Sequence, residues 1–237
     1  MKAVILAAGG GTRLKDLTND HPKVMVKVFG KPLLQYLIEV LAKKDVRDIV
    51  IVVGYKKDMI MDFFGDGKKF GVKIDYVNQE NHKGGTADAL RRTKDKVSDE
   101  KFLLIYGDNV FNPDVIDEMI KESKNCDGVV CGKEVDNPAV YGVLKLDDKK
   151  LVKIIEKPKN PLSNLVLGGI FILPKKIFSA IDETKLSSRG EYELTDSIQI
   201  LIKKGLKFTC VKMKGFWKDI GTVKELDQAK EFMISRL

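Results

Sequence analysis

The chain has 237 residues, of which 43% are apolar and 32% charged, with a formal net charge of +8. That length and composition support a full hydrophobic core and exclude a disordered polyelectrolyte. Lysine supplies 36 of the 42 basic residues and is scattered among Asp and Glu, which reads as a solvated surface favouring anionic ligands, not as the basic–aromatic stripe of a nucleic-acid binder.

In chain order, residues 3–8 form an apolar run too short for a membrane span, which reads as a buried strand. The run breaks into Gly9-Gly10-Gly11, followed by Thr12 and Arg13, with no signal-peptide cleavage site. Residues 16–28 read as irregular. Pro32 suits the first position of a helix whose apolar face is Leu33, Leu34, Tyr36, Leu37, Val40 and Leu41. Residues 48–54 predict a second buried strand, 56–64 a short helix, 65–67 a turn, and 72–77 a half-buried strand. Thr86 reads as the cap of a helix over 87–92. A third buried strand over 102–106 stops at Gly107-Asp108-Asn109, and a helix over 113–122 follows.

The second half predicts shorter strands at 128–132, 141–146, 151–155, 168–173 and 207–212, with helices at 175–181, 192–204 and 223–235. The alternation predicts an α/β fold with a doubly wound, mainly parallel mixed sheet and a small antiparallel lobe. No Gly/Ser/Pro-rich linker separates the halves, so residues 1–237 read as one domain. Within it, 1–125 and 126–222 form two halves, and 223–237 form a terminal helix. Ligands of such sheets bind beyond the carboxyl ends of the strands. That rule puts the glycine turn and Asp108 on one rim. Cys126, Cys131 and Cys210 form no CxxC pair and have no His or Cys cluster nearby, which fits a reducing cytoplasm and argues against a zinc site or a disulfide framework. Trp217 reads as core packing, and His21 and His82 as solvent or loop residues.

A bare glycine run lets the backbone approach a ligand and turn its N–H groups toward it. Arg13 and Lys23, with nine residues between them, add fixed cations and suggest a polyanion cradle. The dinucleotide pattern G-x-G-x-x-G fails, because Leu14 stands where its third glycine belongs. No Gly-Lys pair is followed by Ser or Thr, so a P-loop fails too.

Gly9-x-Gly11-Thr12-Arg13-x9-Lys23 resembles the signature of the sugar-1-phosphate nucleotidylyltransferases, the pyrophosphorylases that make NDP-sugars. Further blocks follow in the family's order. They are Gly30-Lys31-Pro32-Leu33-Leu34, Gln79 with Gly85-Thr86-Ala87, Tyr106-Gly107-Asp108-Asn109 and Tyr141-Gly142-Val143, then Glu156-Lys157-Pro158, Gly168-Gly169, Arg189-Gly190-Glu191 and Trp217-x-Asp219-x-Gly221-Thr222. Each is weak alone, but the ordered set is specific.

The resemblance implies transfer of a nucleotidyl group from a nucleoside triphosphate to a sugar 1-phosphate. Two phosphate charges about 4 Å apart repel by about 4 kcal/mol at an effective dielectric of about 20, so the chemistry calls for Mg²⁺ and several fixed cations. By resemblance, Arg13 and the amides of Gly9–Thr12 hold the leaving phosphates and Lys23, taken as an exposed rim lysine, serves the α-phosphate. Leu6, Ala8, Gly9, Gly10, Gly11, Thr12, Gln79, Gly84, Gly85 and Thr86 line the nucleotide. Gly142, Glu156, Lys157, Gly169 and Arg189 take the sugar phosphate, and Asp108 and Asp219 bind Mg²⁺; no spacing pairs those two aspartates.

Gln79, helped by the backbone at Gly84 or Gly85, is expected to pair with uracil or thymine, which favours UTP or dTTP. Glucose 1-phosphate is the first expectation for the sugar, with N-acetylglucosamine 1-phosphate a rival. Oligomeric state stays open. A cytidylyltransferase should lack the Glu156-Lys157-Pro158 and Gly169 blocks, and a silent regulatory subunit should have lost Arg13, Lys23 or an aspartate. A nucleic-acid or membrane partner is not expected.

Overall fold

The computed structural model describes residues 1–11, 18, 20–81 and 84–234. Thr12 and Arg13 therefore lie outside the described residues, as does His82. Strand β1 (Ala3–Ala7) is apolar throughout, as a strand covered on both faces must be. A single 3-10 turn at Lys23–Met25 and a short hairpin, β2 (Lys27–Val28) with β3 (Lys31–Pro32), lead into helix α1 (Leu33–Lys43). Pro32, expected at the first helical position, stands one residue earlier. It is extended (φ −56°, ψ 147°) because it also pairs with Lys27 in the hairpin.

The chain continues through β4 (Asp48–Val53), α2 (Lys57–Phe64), β5 (Lys73–Asn78), α3 (Thr86–Arg91) and β6 (Lys101–Tyr106). Next come β7 (Asn109–Phe111), α4 (Asp114–Glu122), β8 (Gly128–Glu134), β9 (Gly142–Asp147), β10 (Lys150–Glu156) and β11 (Leu165–Pro174). The last elements are α5 (Ile177–Glu183), α6 (Leu194–Lys203), β12 (Phe208–Lys212), β13 (Trp217–Asp219) and α7 (Val223–Ile234). Thr86 does not cap α3. It is the first helical residue, preceded by Gly85 at φ +92°, and its Oγ1 accepts the Leu194 N–H at 3.1 Å, tying α3 to α6.

Nine strands form one sheet in the order β5-β4-β1-β6-β11-β8-β12-β10-β9. The first four run parallel, and β11 is antiparallel to both β6 and β8. The antiparallel strands thus continue the sheet. Its far end curls until β9 meets β11 again at Val143 and Val166. The result is a Rossmann-like α/β fold. After β1 the chain moves outward through β4 and β5, then returns to β6 on the other side of β1. That switch opens a crevice at the carboxyl end of β1.

Alternation along the strands divides the core between the two faces. Ile5, Ile49 and Ile51 pack with α1, α2 and α4 through Leu34, Ile38, Phe64 and Met119. Val4, Val50 and Val52 face α3, α5 and α6 through Leu90, Phe178 and Ile198. Phe171, fully buried on β11, lies where the two runs of strands join. Phe171→Ala should cost about 3–5 kcal/mol, because it removes a large apolar side chain and leaves a cavity. Urea unfolding monitored by circular dichroism measures this, and a loss under about 1 kcal/mol would contradict the role given to β11.

Candidate active site

The glycine turn leaves the carboxyl end of β1 and is held from both sides. The Tyr55 N–H donates to the Ala8 carbonyl at 3.1 Å, and the Gly107 N–H to the Leu6 carbonyl at 2.9 Å. A Cβ on Gly54 would lie 2.8 Å from the Ala8 oxygen, so the ends of β1 and β4 approach as closely as they do only because residue 54 is glycine. Leu6 and Ala8 thereby anchor the turn. Gly9 faces open space, and Gly10 lies against the Tyr55 ring.

Gly11 has a different task. Its φ is +68°, and a Cβ there would lie 2.7 Å from Cβ of Lys23. The third glycine makes room for the lysine. Lys23 is only 7% exposed, which corrects the expectation of an exposed rim cation. Its Nζ donates to Asp108 Oδ2 at 2.6 Å and to Asp219 Oδ1 at 3.1 Å. Burial pulls the ammonium's pKa down, but the two carboxylates outweigh it and hold the pKa above the ordinary 10.5.

The two aspartates, far apart in sequence, meet because β13 pairs antiparallel with β7 in a small ribbon outside the main sheet. Asp219 stands opposite Asn109, and the Ile220 N–H donates to the Asp108 carbonyl at 3.0 Å. Two carboxylates converging on one cation offer hard oxygen donors. Such a set suits Mg²⁺, which is typically held by one or two carboxylates with waters and substrate phosphates. Among the described residues, no group of three or more His, Cys, Asp or Glu side chains is placed to hold a metal, so Asp108 and Asp219 would supply only part of a coordination sphere.

On the other side of β1, Gln79 follows the end of β5 and is 3% exposed. Its Nε2 donates to Asp88 Oδ2 at 2.9 Å and to the Gly85 carbonyl at 3.2 Å. Gly84 has both backbone groups engaged: its N–H donates to Asn81 and its carbonyl accepts from Tyr192. Thus only Gly85 of the two has an N–H with no partner among the described residues. A Cβ on Gly85 would lie 2.5 Å from the Tyr192 oxygen, so the segment before α6 crosses the base of this region. Sequence reading missed Asp88, although Arg92, one helical turn on, marks it as part of a polar face.

The residues expected at the sugar phosphate also gather. Gly142 pairs with Glu156 across β9 and β10, and a Cβ on Gly142 would lie 3.1 Å from Glu156 Oε2. Glu156 lies 4.0 Å from Lys157 Nζ and 3.3 Å from Arg189 Nη1. Arg189 also pairs with Glu191 of its own motif and with Glu193, which sequence reading did not single out, so it is embedded among three carboxylates. Burial pushes the Glu156 carboxyl up, against the lowering effect of Lys157 and Arg189. Gly169 sits in the register break of β11 against β8, at φ +70°. Its missing Cβ would fall 2.1 Å from Asn109 Nδ2, which gives that glycine a packing reason of its own. Trp217 is buried and donates to the Gly168 carbonyl at 2.8 Å, as core packing predicts.

Tyr106 connects the clusters. Desolvation pushes its phenol far up, with the Glu156 carboxylate adding to the rise; a hydrogen bond with Thr86 opposes it, and Glu193 and Asp108 contribute further. The hydroxyl therefore bonds Thr86 at the start of α3 and feels the charges of Glu156, Glu193 and Asp108. The cysteines take no part. All three are free, and burial raises the Cys131 and Cys210 thiols, the latter to about 12.

Known proteins with the same chain pattern point one way. The family model described as "Nucleotidyl transferase" matches residues 2–236. The UTP–glucose-1-phosphate uridylyltransferase AglF of Haloferax volcanii is 39% identical over 98% of this chain and 96% of its own length. The bifunctional protein GlmU of Methanocaldococcus jannaschii is 41% identical over 100% of this chain, which spans only 55% of that relative. Among solved structures, a Bacillus anthracis protein assigned as a glucose-1-phosphate thymidylyltransferase, determined with sucrose, superposes with a TM-score of 0.86 at 34% identity over 98% of this chain and 94% of its own. A UDP-glucose pyrophosphorylase complexed with UDP-glucose gives a TM-score of 0.87 at 25% identity, covering 100% of this chain and 99% of its own. With a family model matched over nearly its whole length, on a sheet whose switch point carries the glycine turn and the Lys23–Asp108–Asp219 cluster, the chain belongs to the nucleotidyl transferase family.

Proposed function

We propose that the chain joins a hexose 1-phosphate, glucose 1-phosphate first, to UTP or dTTP and releases pyrophosphate. The observation that carries this reading is the buried Lys23 ammonium held between Asp108 and Asp219, directly beneath the third glycine of the turn. A polyanion at the turn meets a fixed cation there, and a divalent ion has two carboxylates to share. The glucose reading draws support from AglF and from the UDP-glucose and sucrose complexes of the structural neighbours.

In the proposed reaction an oxygen of the sugar phosphate attacks the α-phosphorus. A new P–O bond forms as the bond to the β-phosphate breaks, and pyrophosphate departs. A phosphate oxygen is already nucleophilic, so the protein's part is positioning and charge compensation. The glycine-turn amides and Arg13 hold the leaving phosphates, and Lys23 offsets charge on the α-phosphate. Residues 1–125 bind the nucleotide. Residues 126–222 bind the sugar phosphate, through Glu156, Lys157, Arg189 and the backbone at Gly142 and Gly169. Residues 223–237 end the same domain as a helix. Mg²⁺ at Asp108 and Asp219 would supply Lewis-acid neutralisation of phosphate charge. Among the described residues no helix is long and apolar enough to cross a membrane. Three free cysteines fit a cytoplasmic setting.

Lys23→Ala should lower kcat by about 10²–10³, the typical cost of removing one preorganised electrostatic group. It should also lower stability by about 1–3 kcal/mol, because two carboxylates lose their counter-charge; their partial exposure keeps the cost below that of a fully buried pair. Millimolar Mg²⁺ should raise the melting temperature of this variant more than that of the wild type, and an equal shift would contradict a metal at these carboxylates. Asp219→Asn should lose turnover that added Mg²⁺ partly restores. Wild-type behaviour would remove Asp219 from the metal pair.

A further inference from the structure

Gln79 is held in one amide orientation, and the residue that holds it is Asp88. Both atoms bonded to Nε2, the Asp88 carboxylate and the Gly85 carbonyl, are acceptors that cannot donate. Rotating the amide by half a turn would set Oε1 against two acceptors and forfeit both bonds. The carboxylate is itself fixed. Arg92 approaches Oδ1 at 3.3 Å, and Asp88 as a whole is 6% exposed. Gly84 makes room for it, since a Cβ there would lie 2.7 Å from Oδ2. The two amide hydrogens are spent inside the protein, and the group left to a ligand is the carbonyl Oε1, an acceptor.

We propose that Asp88 is a positioning residue that sets base choice through Gln79. By engaging Nε2 it leaves Oε1 as the amide atom for the base, so that the site accepts an imino N–H, which uracil and thymine carry at N3. Cytosine has a lone pair at that position and would meet the Gln79 oxygen with lone pair against lone pair. Leaving a buried acceptor facing another acceptor is costly, which is how a hydrogen-bonding site rejects a near-isostere. Guanine also carries an imino N–H, so cytosine is the discriminating probe. This inference rests on the reading of Gln79 as the residue that meets the base.

The test compares UTP with CTP, glucose 1-phosphate being the co-substrate. Equilibrium binding to the wild type should favour UTP at least tenfold, and equal affinities would overturn the proposal without recourse to any variant. Asp88→Asn is isosteric but brings a donor that can bond Oε1, freeing the amide to turn. Its UTP-to-CTP ratio of kcat/KM should fall at least tenfold, mainly through KM for UTP. Asp88→Glu, which again only accepts, should restore much of the ratio. A merely structural role for Asp88 would lower both triphosphates together and leave the ratio unchanged, and that result would overturn the inference while the wild type still turned over UTP. A wild type that binds and turns over neither UTP nor dTTP would instead overturn the underlying reading of Gln79.

Discussion

The ion cluster of Lys23 with Asp108 and Asp219 is the constraint on which the rest of the site depends. A lysine at 7% exposure must find counter-charge, and the fold supplies it from two segments far apart in sequence. Three features of the chain serve that contact. Gly11 gives up its side chain so that Lys23 can pass beneath the turn. The 3-10 turn at Lys23–Met25 delivers the lysine from the far end of the glycine segment. The ribbon of β7 and β13 brings Asp219 beside Asp108, and Trp217, two residues before Asp219, pins that ribbon to the Gly168 carbonyl. The site is thus built where the switch point of the sheet, the glycine turn and the β7–β13 ribbon coincide.

The same economy runs through the crossing between the halves. Gly85 admits the Tyr192 backbone, Thr86 accepts from Leu194, and Tyr106 lies close to Thr86, Glu156 and Asp108 at once. The residues expected at the base and those expected at the sugar are consequently tied together by hydrogen bonds and close packing between α3 and the segment before α6. A transfer between two polyanions needs such rigidity, because repulsion between the reactants opposes their approach and only fixed geometry offsets it.

Much of this was legible in the sequence, for physical reasons. The buried strands at β1, β4 and β6 are continuous apolar runs, and periodicity finds such runs directly. The glycine turn and its cations were visible because three glycines in succession fill no core. What could not be read was long-range. Nothing local to Asn109–Phe111 or Trp217–Asp219 marks two three-residue strands as partners. The burial of Lys23 follows from tertiary contacts alone. Thr86 looked like a cap because Thr before a helix usually is one, but tertiary bonding to α6 took its hydroxyl. Asp88 drew no reading of its own in the sequence, and only the packing of Gly84 and Gln79 against it shows its part. Gly169 was expected at the sugar phosphate by resemblance, and Asn109, packed against the place of its missing side chain, gives that glycine a second reason that no local pattern showed.

The most direct measurement is pyrophosphate release by the purified chain across a panel of triphosphates crossed with sugar 1-phosphates, with and without Mg²⁺. Mg²⁺-dependent release with UTP or dTTP and glucose 1-phosphate is the expected result, with little from CTP or ATP. Absence of release for every pair, from protein that is folded and supplied with Mg²⁺, would contradict it.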